Sequence, residues 1–312
     1  MTGRTGGPLL ALVGATGTGK TRLAVALAEH FGGGEVISCD SGQIYRGLDV
    51  GTAKPTPEER RRAPHHLIDI LDPEERWSAA EFAEAADAAI AAVRDRGHLP
   101  IVVGGNGLWY RALVKGIFAA PSIPDSVREQ VRDEIAERGS EVLHAELRHI
   151  DPVAAARIQP RDPQRIARAL EVIRHTGIPI SRLQDAHGFA ERRYEVSAFA
   201  LDWPREILRE HLGQRVRRMF EDGLLEEVDA CLARGLGPDA PGLGIIGYKE
   251  ATAYRLGRTD LDEAVEKATT ATRRYAKRQR NWFRHEPEVQ WIPPAATVHE
   301  VVERLPAGWA EV

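Results

Sequence analysis

Leu9-Leu-Ala-Leu-Val-Gly14-Ala-Thr-Gly-Thr-Gly19-Lys20-Thr21 is the stretch that decides the fold of this chain. An apolar run gives way to glycines and a Lys-Thr pair at the G-x-x-x-x-G-K-[ST] spacing of a phosphate-binding loop. Glycines let the backbone curl so that several N–H groups point inward, and the helix that follows adds its positive N-terminal end. We therefore expect a di- or triphosphate to bind at Gly14, Ala15, Thr16, Gly17, Thr18, Gly19, Lys20 and Thr21.

The last two residues of this loop have separate expected roles. Lys20 would neutralise phosphate oxygens, and the Thr21 hydroxyl could reach a bound Mg²⁺. Most such loops bind ATP or GTP, and those enzymes usually place an acidic residue after a neighbouring strand to hold the metal. The best candidate strand, residues 99–103, runs into Gly104-Gly-Asn106 without a carboxylate. The loop alone therefore leaves the identity of its phosphate open.

Composition limits the class of protein. The chain has 312 residues, of which 43% are hydrophobic, so it can form one large domain or two smaller ones. Its net charge of −4 means that nucleic acid would need a local basic patch. Cys39 and Cys231 lack metal-ligand spacing and are typical of reduced thiols. No apolar run approaches about 18 residues, and residues 1–8 lack the apolar core of a signal peptide, so we expect a soluble cytoplasmic protein.

A second group of polar residues follows the next strand, predicted at 35–39. Asp40-Ser-Gly-Gln43 comes directly after it, at the edge where ligands bind in open α/β sheets. Asp40 could simply cap a turn, but its place at a second strand end favours a role beside the phosphate loop.

A further strand is possible at 65–70. His65 and His66 lack a third ligand nearby and are typical of packing or hydrogen-bonding residues. Asp69 is an alternative magnesium carboxylate, although its position within the predicted strand disfavours this.

Alternating elements over the first part of the chain predict an α/β fold. A capping box at Ser78 and Glu81 starts a helix that ends near residue 96, a strand follows at 101–103, and a helix runs to 115. This order favours a parallel sheet flanked by helices on both faces. Helical segments then succeed one another until a strand returns at 195–201. We therefore predict a phosphate-loop core over residues 1–118 and 195–312, with an inserted all-helical subdomain over 119–194.

The segment 272–284 is the best candidate for a polyanion-binding surface. It is a basic helix in which Tyr275, Trp282 and Phe283 alternate with cations. Cations neutralise phosphates and aromatic rings stack on bases, which suits an RNA ligand. A solvated basic helix whose aromatic side chains pack into the core has the same pattern.

Six ordered blocks of sequence together resemble one family, the tRNA dimethylallyltransferases. The resemblance covers nearly the whole chain. It rests on the blocks at 14–21 (GATGTGKT), 40–55 (DSGQIYRGLDVGTAKP), 64–73 (PHHLIDILDP), 162–172 (DPQRIARALEV), 246–250 (IGYKE) and 275–279 (YAKRQ). These enzymes transfer an isoprenoid from dimethylallyl diphosphate to the exocyclic N6 amine of the adenosine immediately 3′ of the anticodon, in tRNAs that read codons beginning with U.

The resemblance implies a role for each part of the site. The loop would hold a departing diphosphate and would not hydrolyse a nucleotide, which accounts for the missing carboxylate. Asp40 would be the general base that removes a proton from the adenine amine. Lys20, Arg215 and Mg²⁺ would stabilise the negative charge that grows on the diphosphate. Arg215 could instead form a surface ion pair.

The resemblance also implies an RNA interface. The target adenine must leave its stack to reach Asp40, so a clamp of core and insertion is expected around the tRNA anticodon stem-loop. Apart from the resemblance, the sequence has no evident pattern of an exposed interface, so a monomer is expected, and the lack of a long apolar run predicts no membrane partner. The expected tRNA contacts are Asp40, Ser41, Gly42, Gln43, Asn106, Arg128, Gln164, Arg165, Arg168, Tyr248, Lys249 and Arg278.

Two residues depart from the family pattern. Asn106 stands where a catalytic-site threonine is usual, and its longer amide could alter how the adenine is positioned. His211 stands one helical turn before Arg215, where arginine is common, which could weaken phosphate binding or make it depend on pH.

Three other functions share some of these features. A prenyltransferase that modifies free adenylate would need neither the insertion nor the basic segment. A small-molecule kinase would need ATP and a magnesium carboxylate after a core strand. A non-catalytic RNA-binding protein would be indifferent to replacement of Lys20 or Asp40.

Overall fold

The computed structural model describes residues 8–116, 123–187, 193–307 and 309. The chain divides into two compact units: a core unit of Met1–Val114 with Arg193–Val312, and a helical unit of Lys115–Arg192. Residues 118 and 119, where the sequence predicts the boundary, lie outside the described residues, as do residues 1–7.

A parallel sheet organises the core unit. All neighbouring strands pair in parallel, in the spatial order β3-β2-β4-β1-β5-β6, which confirms the predicted α/β class. The register places both Val13 and Cys39 beside Gly104, so the loops after β1, β2 and β4 begin side by side. The strands are β1 Pro8–Val13, β2 Glu35–Cys39, β3 His65–His66, β4 Pro100–Gly104, β5 Glu195–Leu201 and β6 Val289–Ile292.

Helices connect and cover these strands. Within the described parts of the chain, none of them combines the length and apolar character that crossing a bilayer requires. Helices α5 to α9 form the helical unit. The helices are α1 Lys20–His30, α2 Pro57–Arg62, α3 Ala79–Asp95, α4 Gly107–Lys115, α5 Asp125–Arg138, α6 Ser140–Ile150, α7 Pro152–Arg157, α8 Pro163–Thr176, α9 Ile180–His187, α10 Arg205–Glu221, α11 Leu224–Ala233, α12 Tyr248–Arg255, α13 Leu261–Arg284 and α14 Val298–Val302.

Strand β1 lies at the centre of the core and is buried on both faces. Leu10 and Leu12 belong to an apolar cluster with helix α1, and the alternate residue Leu9 is fully buried on the other face. A strand covered on both sides must be apolar throughout, which is why 9–13 forms a continuous hydrophobic run rather than an alternating one. The phosphate loop therefore follows a buried strand in the interior of the sheet.

The predicted strand at 65–70 is shorter than expected. Strand β3 ends at His66 because Leu67 and Asp69 have φ values of +61° and +58°, which a strand cannot accommodate. The Asp69 carboxylate accepts hydrogen bonds from Lys54 and, at 2.9 Å, from Arg60. The Asp69 carboxylate is therefore paired with Lys54 and Arg60, and Asp69 does not line the cavity that contains Lys20.

Glu35 is a buried carboxylate at the start of β2. It accepts hydrogen bonds from Arg96 at 2.7 and 3.0 Å, and its oxygens lie 2.6 Å from His66 Nε2 and from His98 Nδ1. Burial raises the pKa of Glu35, but the hydrogen bonds from Arg96, His66 and His98 outweigh it and lower that pKa to about 2. His66 is thus a hydrogen-bonding residue, as its lack of a third ligand indicated.

Replacing Glu35 should reveal how much this cluster of Glu35, His66, Arg96 and His98 stabilises the fold. We expect Glu35→Gln to lower the free energy of unfolding by about 2 to 3 kcal/mol near pH 7, because charged hydrogen bonds are lost from a buried group. A depressed carboxylate pKa stabilises the fold above the unfolded value of 4.5 and ceases to do so as pH falls toward about 2. The difference between parent and variant in urea unfolding should therefore shrink below pH 5.

Glu29→Gln is the matched control, since Glu29 pairs with Arg62 on the exposed surface. It should leave stability unchanged. An equal effect of both substitutions would contradict a special role for Glu35.

Candidate active site

The phosphate loop closes on itself between β1 and α1. Gly14, Gly17 and Gly19 have φ values of +116°, +76° and +92°, which side-chain-bearing residues rarely adopt. Lys20 Nζ donates to the carbonyl oxygens of Gly14 at 3.2 Å and Ala15 at 2.6 Å. The amine therefore lies against the inner curve of the loop, where the sequence predicts a phosphate.

Gln279 joins this loop to the turn after β4. Its Oε1 accepts a hydrogen bond from Thr16 N at 2.8 Å, and its Nε2 donates to Gly105 O at 3.0 Å. A Cβ atom at Gly105 would lie 2.0 Å from Gln279 Nε2, so only glycine allows this approach. The sequence analysis gave Gln279 no role, although it ends the block 275–279 and stands at helical spacing from Ala276 and Phe283, which are buried with it.

Trp203 is a second residue that the sequence analysis missed. Its Nε1 donates to Thr18 O at 3.1 Å, and its ring lies beside that of His211, with 5.4 Å between ring centres. It follows β5, so a strand that is distant in sequence supports the far side of the loop.

Asp40 lies where the sequence predicts it, directly after β2. Its Oδ1 accepts a hydrogen bond from Gly42 N at 2.9 Å, so it does cap the turn, and it also lines the cavity that contains the loop. Gln43 is held in place by donating to Ala53 O at 3.3 Å and accepting from Ser38 Oγ at 3.0 Å. Asp40 can therefore cap the turn and still face the cavity beside the phosphate loop.

Two cavities meet at Asp40. The loop cavity, about 710 Å³, is lined by residues 16–22 with Asp40 and Arg215. The side cavity, about 300 Å³, is lined by the turn at 41–42, by residues 244–247 and by Tyr275 and Arg278 of α13. Its walls are largely apolar and include Leu212, Val216, Met219, Phe220, Leu224, Ile245 and Ile246. The residues common to both cavities are Thr16, Asp40, Thr52, Arg215 and Met219.

The loop cavity concentrates positive charge away from water. Burial lowers the pKa of Lys20 to about 8, with a contribution from Arg215 and opposition from Asp40. Burial also lowers the pKa of Arg215, while Asp40 acts in the other direction. His211 has a lowered pKa because of burial and the charges of Arg215 and Arg218, so its imidazole is neutral near pH 7. An anion in this cavity would relieve the crowding of these cations.

The same cavity offers oxygen ligands for a divalent cation. Thr21 is half-buried at the start of α1 and lines the loop cavity together with Asp40. Mg²⁺ prefers such oxygen ligands and usually retains waters and substrate phosphate oxygens besides one or two protein groups. Among the residues that the structure describes, no three His, Cys, Asp or Glu side chains are grouped so as to hold a metal.

Two residues expected near the RNA have other partners in this structure. Asn106 Oδ1 accepts from Trp109 N at 3.2 Å and so caps helix α4, and Asn106 lines neither cavity. Tyr248 is fully buried, donates to Glu227 and accepts from Gly51 N at 3.0 Å. Its side chain supports the Gly51 loop and presents no surface to a ligand.

Of the remaining predicted tRNA contacts, Gly42 is buried in the turn after β2, and the others are exposed or half-buried. In the core unit, Lys249 is exposed, and Arg278 lies over the ring of Tyr275, 5.6 Å from its centre. In the helical unit, the expected residues lie on α5 and α8, which pack together through a shared apolar cluster. Arg128 pairs with Asp125, Arg165 with Asp162 and Arg168 with Glu171 at 3.5, 3.5 and 3.6 Å, while Gln164 is exposed.

The aromatic residues of the basic segment mostly pack inside the core. Phe283 is fully buried and contacts the ring of Tyr110. Trp282 lies close to Gly107 and under the guanidinium of Arg111, 4.6 Å from the ring centre. Of the three, Tyr275 alone lines the side cavity, so base stacking by the segment as a whole is not supported.

Removing the Gln279 amide should loosen the phosphate loop. We expect Gln279→Ala to weaken binding of inorganic diphosphate about tenfold, because two hydrogen bonds that fix the loop are lost. Isothermal titration calorimetry on the folded variant measures this. The exposed Gln290→Ala is the control and should bind as the parent does. Unchanged affinity in a folded Gln279 variant would contradict the positioning role.

The Lys20 amine should titrate near neutrality in the free protein. Because its pKa is about 8, compared with an ordinary 10.5, the amine loses its proton as pH rises through 8. Competitive acetylation read by mass spectrometry should give a midpoint near pH 8, and inorganic diphosphate should protect the amine. A midpoint at the ordinary value would show that the lysine is solvated.

Comparison with known proteins agrees with this geometry. Residues 43–286 match the family described as IPP transferase, and residues 8–69 match the family described as isopentenyl transferase. A tRNA dimethylallyltransferase of Anaeromyxobacter dehalogenans (strain 2CP-C) is 50% identical over 297 residues, covering 95% of this chain and 98% of the relative. Another from Geobacter sulfurreducens is 44% identical over 284 residues, covering 91% of each.

Solved structures show the same similarity. The tRNA isopentenylpyrophosphate transferase of Bacillus halodurans has a TM-score of 0.69 and 38% identity, covering 95% of this chain and 93% of its own. A eukaryotic dimethylallyltransferase, described as acting on tRNA, has a TM-score of 0.75 and 27% identity, covering 92% of this chain and 74% of its own. The match over 43–286, joined to a phosphate loop that meets Asp40 and Arg215, shows that the chain belongs to the IPP transferase family of tRNA dimethylallyltransferases.

Proposed function

We propose that this chain transfers a dimethylallyl group from dimethylallyl diphosphate to the N6 amine of the adenosine immediately 3′ of the anticodon, in tRNAs that read codons beginning with U. The product is N6-isopentenyladenosine. The supporting observation is that the loop cavity and the side cavity meet at Asp40 and Arg215. Two substrates entering from the two cavities would bring their reacting atoms together there.

The reaction follows from this meeting point. The lone pair of the adenine amine forms a bond to the allylic carbon, while the carbon–oxygen bond breaks and its electron pair leaves with the diphosphate. Asp40 receives the N–H proton that the new bond makes acidic. Its second oxygen is the one available for this, since Oδ1 is engaged by Gly42 N.

The leaving group is stabilised by the loop cavity. Lys20 and Arg215 are two cations with lowered pKa values in a partly dehydrated cavity, and an arriving diphosphate would satisfy both. The growth of negative charge on the diphosphate in the transition state strengthens these contacts, and such preorganised cations lower the barrier. His211, being neutral, would add a hydrogen bond rather than a charge.

Magnesium fits the same arrangement. Thr21 would hold Mg²⁺ through its hydroxyl, and the metal when bound supplies further positive charge to the diphosphate oxygens. A divalent metal is the general requirement of the family, and Mg²⁺ is our specific proposal.

The acceptor is proposed to be the tRNA anticodon stem-loop, bound by a monomer in the cytoplasm. In the core unit the turn at 41–42 and Arg278 line the side cavity, which suits an adenine that has left its stack, and Gln43 lines the loop cavity beside it. In the helical unit Arg128, Gln164, Arg165 and Arg168 would contact the RNA and act as the clamping arm. Asn106 could influence the adenine through the start of α4, which it caps.

Purified protein, Mg²⁺ and labelled dimethylallyl diphosphate should transfer label to tRNA whose anticodon ends in adenosine. Nuclease digestion should then release isopentenyladenosine. Label that enters free AMP but never tRNA would support an adenylate prenyltransferase instead, and ATP turnover without prenyl transfer would support a kinase.

Asp40→Asn tests the proton acceptor. The amide keeps an oxygen for Gly42 N but cannot take a proton, so we expect kcat to fall about 10²- to 10⁴-fold. The Kd for tRNA, measured by filter binding, should change by no more than about twofold, since the cap is preserved.

Asp239→Asn is the matched control, because Asp239 is an exposed acid in the loop before residue 242. It should retain parental kcat. An Asp40 variant that loses tRNA binding and turnover in equal measure would identify Asp40 as a binding residue and overturn its role as base.

A further inference from the structure

Glu227 on α11 has a carboxylate that accepts hydrogen bonds from residues far away in the sequence. Its Oε1 accepts from the backbone N–H groups of Asp49 and Val50, each at 2.9 Å, and its Oε2 accepts from the Tyr248 hydroxyl. Glu227 is half-buried and lines neither the loop cavity nor the side cavity. Because hydrogen bonds to an ionised acceptor are roughly twice as strong as neutral ones, Glu227 holds these two peptide groups firmly.

Tyr248 extends this contact to the next residue of the same loop. Its hydroxyl donates to Glu227 and accepts from Gly51 N at 3.0 Å. A Cβ atom at Gly51 would collide with the Tyr248 ring, so the backbone can approach the ring only because residue 51 is glycine. Three consecutive N–H groups, those of residues 49, 50 and 51, are therefore bound by side chains of α11 and α12.

The same loop reaches the junction of the two cavities at Thr52. The Thr52 hydroxyl donates back to Leu48 O at 2.5 Å, and its methyl group lies beside Gly42. A Cβ atom at Gly42 would lie 3.0 Å from Thr52 Cγ2, so the two residues are in close contact. Gly42 N in turn donates to Asp40 Oδ1 at 2.9 Å. Thr52 therefore supports the turn that holds the Asp40 carboxylate.

A second contact joins this loop to the turn after β2. Gln43 Nε2 donates to Ala53 O at 3.3 Å, while Gln43 Oε1 accepts from Ser38 Oγ at 3.0 Å. Ser38 belongs to β2, so the contact also reaches the strand that precedes Asp40. The loop at 49–53 thus supports the Asp40 turn at two points.

Lys54 holds the loop from within. Its Nζ donates to Tyr45 O at 2.5 Å and to Asp49 Oδ1 at 2.6 Å. These two bonds join residues of one stretch, 45–54, to one another. Glu227 is different, because it stands 178 positions after Asp49 and ties the stretch to a separate helix of the core unit.

We propose that Glu227 is a positioning residue for the reaction at Asp40 and acts through the loop at 49–53. This rests on the proposed function. While the loop is held, Thr52 stays against Gly42 and the Asp40 carboxylate keeps its place beside the phosphate loop. Without the Glu227 carboxylate the loop can move away from the turn, and a displacement on the order of 1 Å in a reacting group lowers a rate about hundredfold.

Glu227→Ala tests the proposal by kinetics. We expect kcat for prenyl transfer to tRNA to fall about 10- to 100-fold, because Asp40 loses its fixed position. The Kd for inorganic diphosphate, measured by calorimetry, should stay within about twofold of the parental value, since the phosphate loop keeps its own contacts. Glu227→Gln should keep kcat within about threefold of the parent, because its amide oxygen can still accept from both N–H groups.

Hydrogen exchange tests the same coupling without turnover. In the Glu227→Ala variant, the backbone amides of residues 42 and 49–51 should exchange about tenfold faster than in the parent, because local opening of the loop and turn becomes easier. The amides of β1 and α1 should exchange at parental rates, since these elements do not depend on the loop.

Glu226→Ala is the matched control, since Glu226 is exposed and precedes Glu227 in the first turn of α11. It removes the same charge from the same helix end and should keep parental kcat and exchange rates. A folded Glu227→Ala variant with parental kcat, with parental exchange at residue 42, or with equal losses of turnover and diphosphate affinity would overturn the proposal. If the parent transfers no prenyl group, the proposed function fails separately, and exchange at residue 42 still decides whether Glu227 fixes the Asp40 turn.

Discussion

The close approach of β2 and β4 at their carboxyl ends is the constraint on which the site depends. A Cβ atom at Gly104 would lie 2.0 Å from Cys39 O, so the strands can come this close only because residue 104 is glycine. The phosphate loop, Asp40 and the Gly104–Asn106 turn therefore start from adjacent points on one sheet edge. Short loops after β1 and β2 can therefore place the Lys20 amine and the Asp40 carboxylate in one cavity.

Burial of charge is the second feature that makes the site suited to a diphosphate. Lys20 and Arg215 lie in one cavity with Asp40, and burial disfavours both cations in the free protein. Such groups bind an anion strongly because their charge is not fully satisfied by water. His211, whose pKa is lowered by burial and by the charges of Arg215 and Arg218, adds no further charge to this cavity near pH 7.

Helix α13 makes different contacts on its inner face and on its two flanks. Its inner face carries Gln279 to the phosphate loop, and its flank brings Tyr275 and Arg278 to the side cavity. The opposite flank packs beside α10, and Arg273 Nε donates to Arg209 O across the two helices. One long helix thus fixes the phosphate loop and borders the side cavity.

The sequence by itself determined the phosphate loop, the strand ends that carry Asp40, and the parallel α/β class. These depend on local signals, namely glycine spacing and apolar runs, which act over a few residues. A helix with a clear cap was also predictable, as for α3, whose capping box at Ser78 and Glu81 is present in the structure.

The tertiary structure alone decided how distant residues meet. Gln279 contacts Thr16 across 263 positions of sequence, and the burial of Tyr248 depends on a contact with Gly51, 197 positions away. Short elements such as β6 and the early end of β3 were missed because four or fewer residues carry too weak a pattern. Cationic residues that look alike in the sequence of α13 have different partners, since Arg278 lines the side cavity and Arg280 pairs with Asp202. The packing of the helix decides this, and no local pattern encodes it.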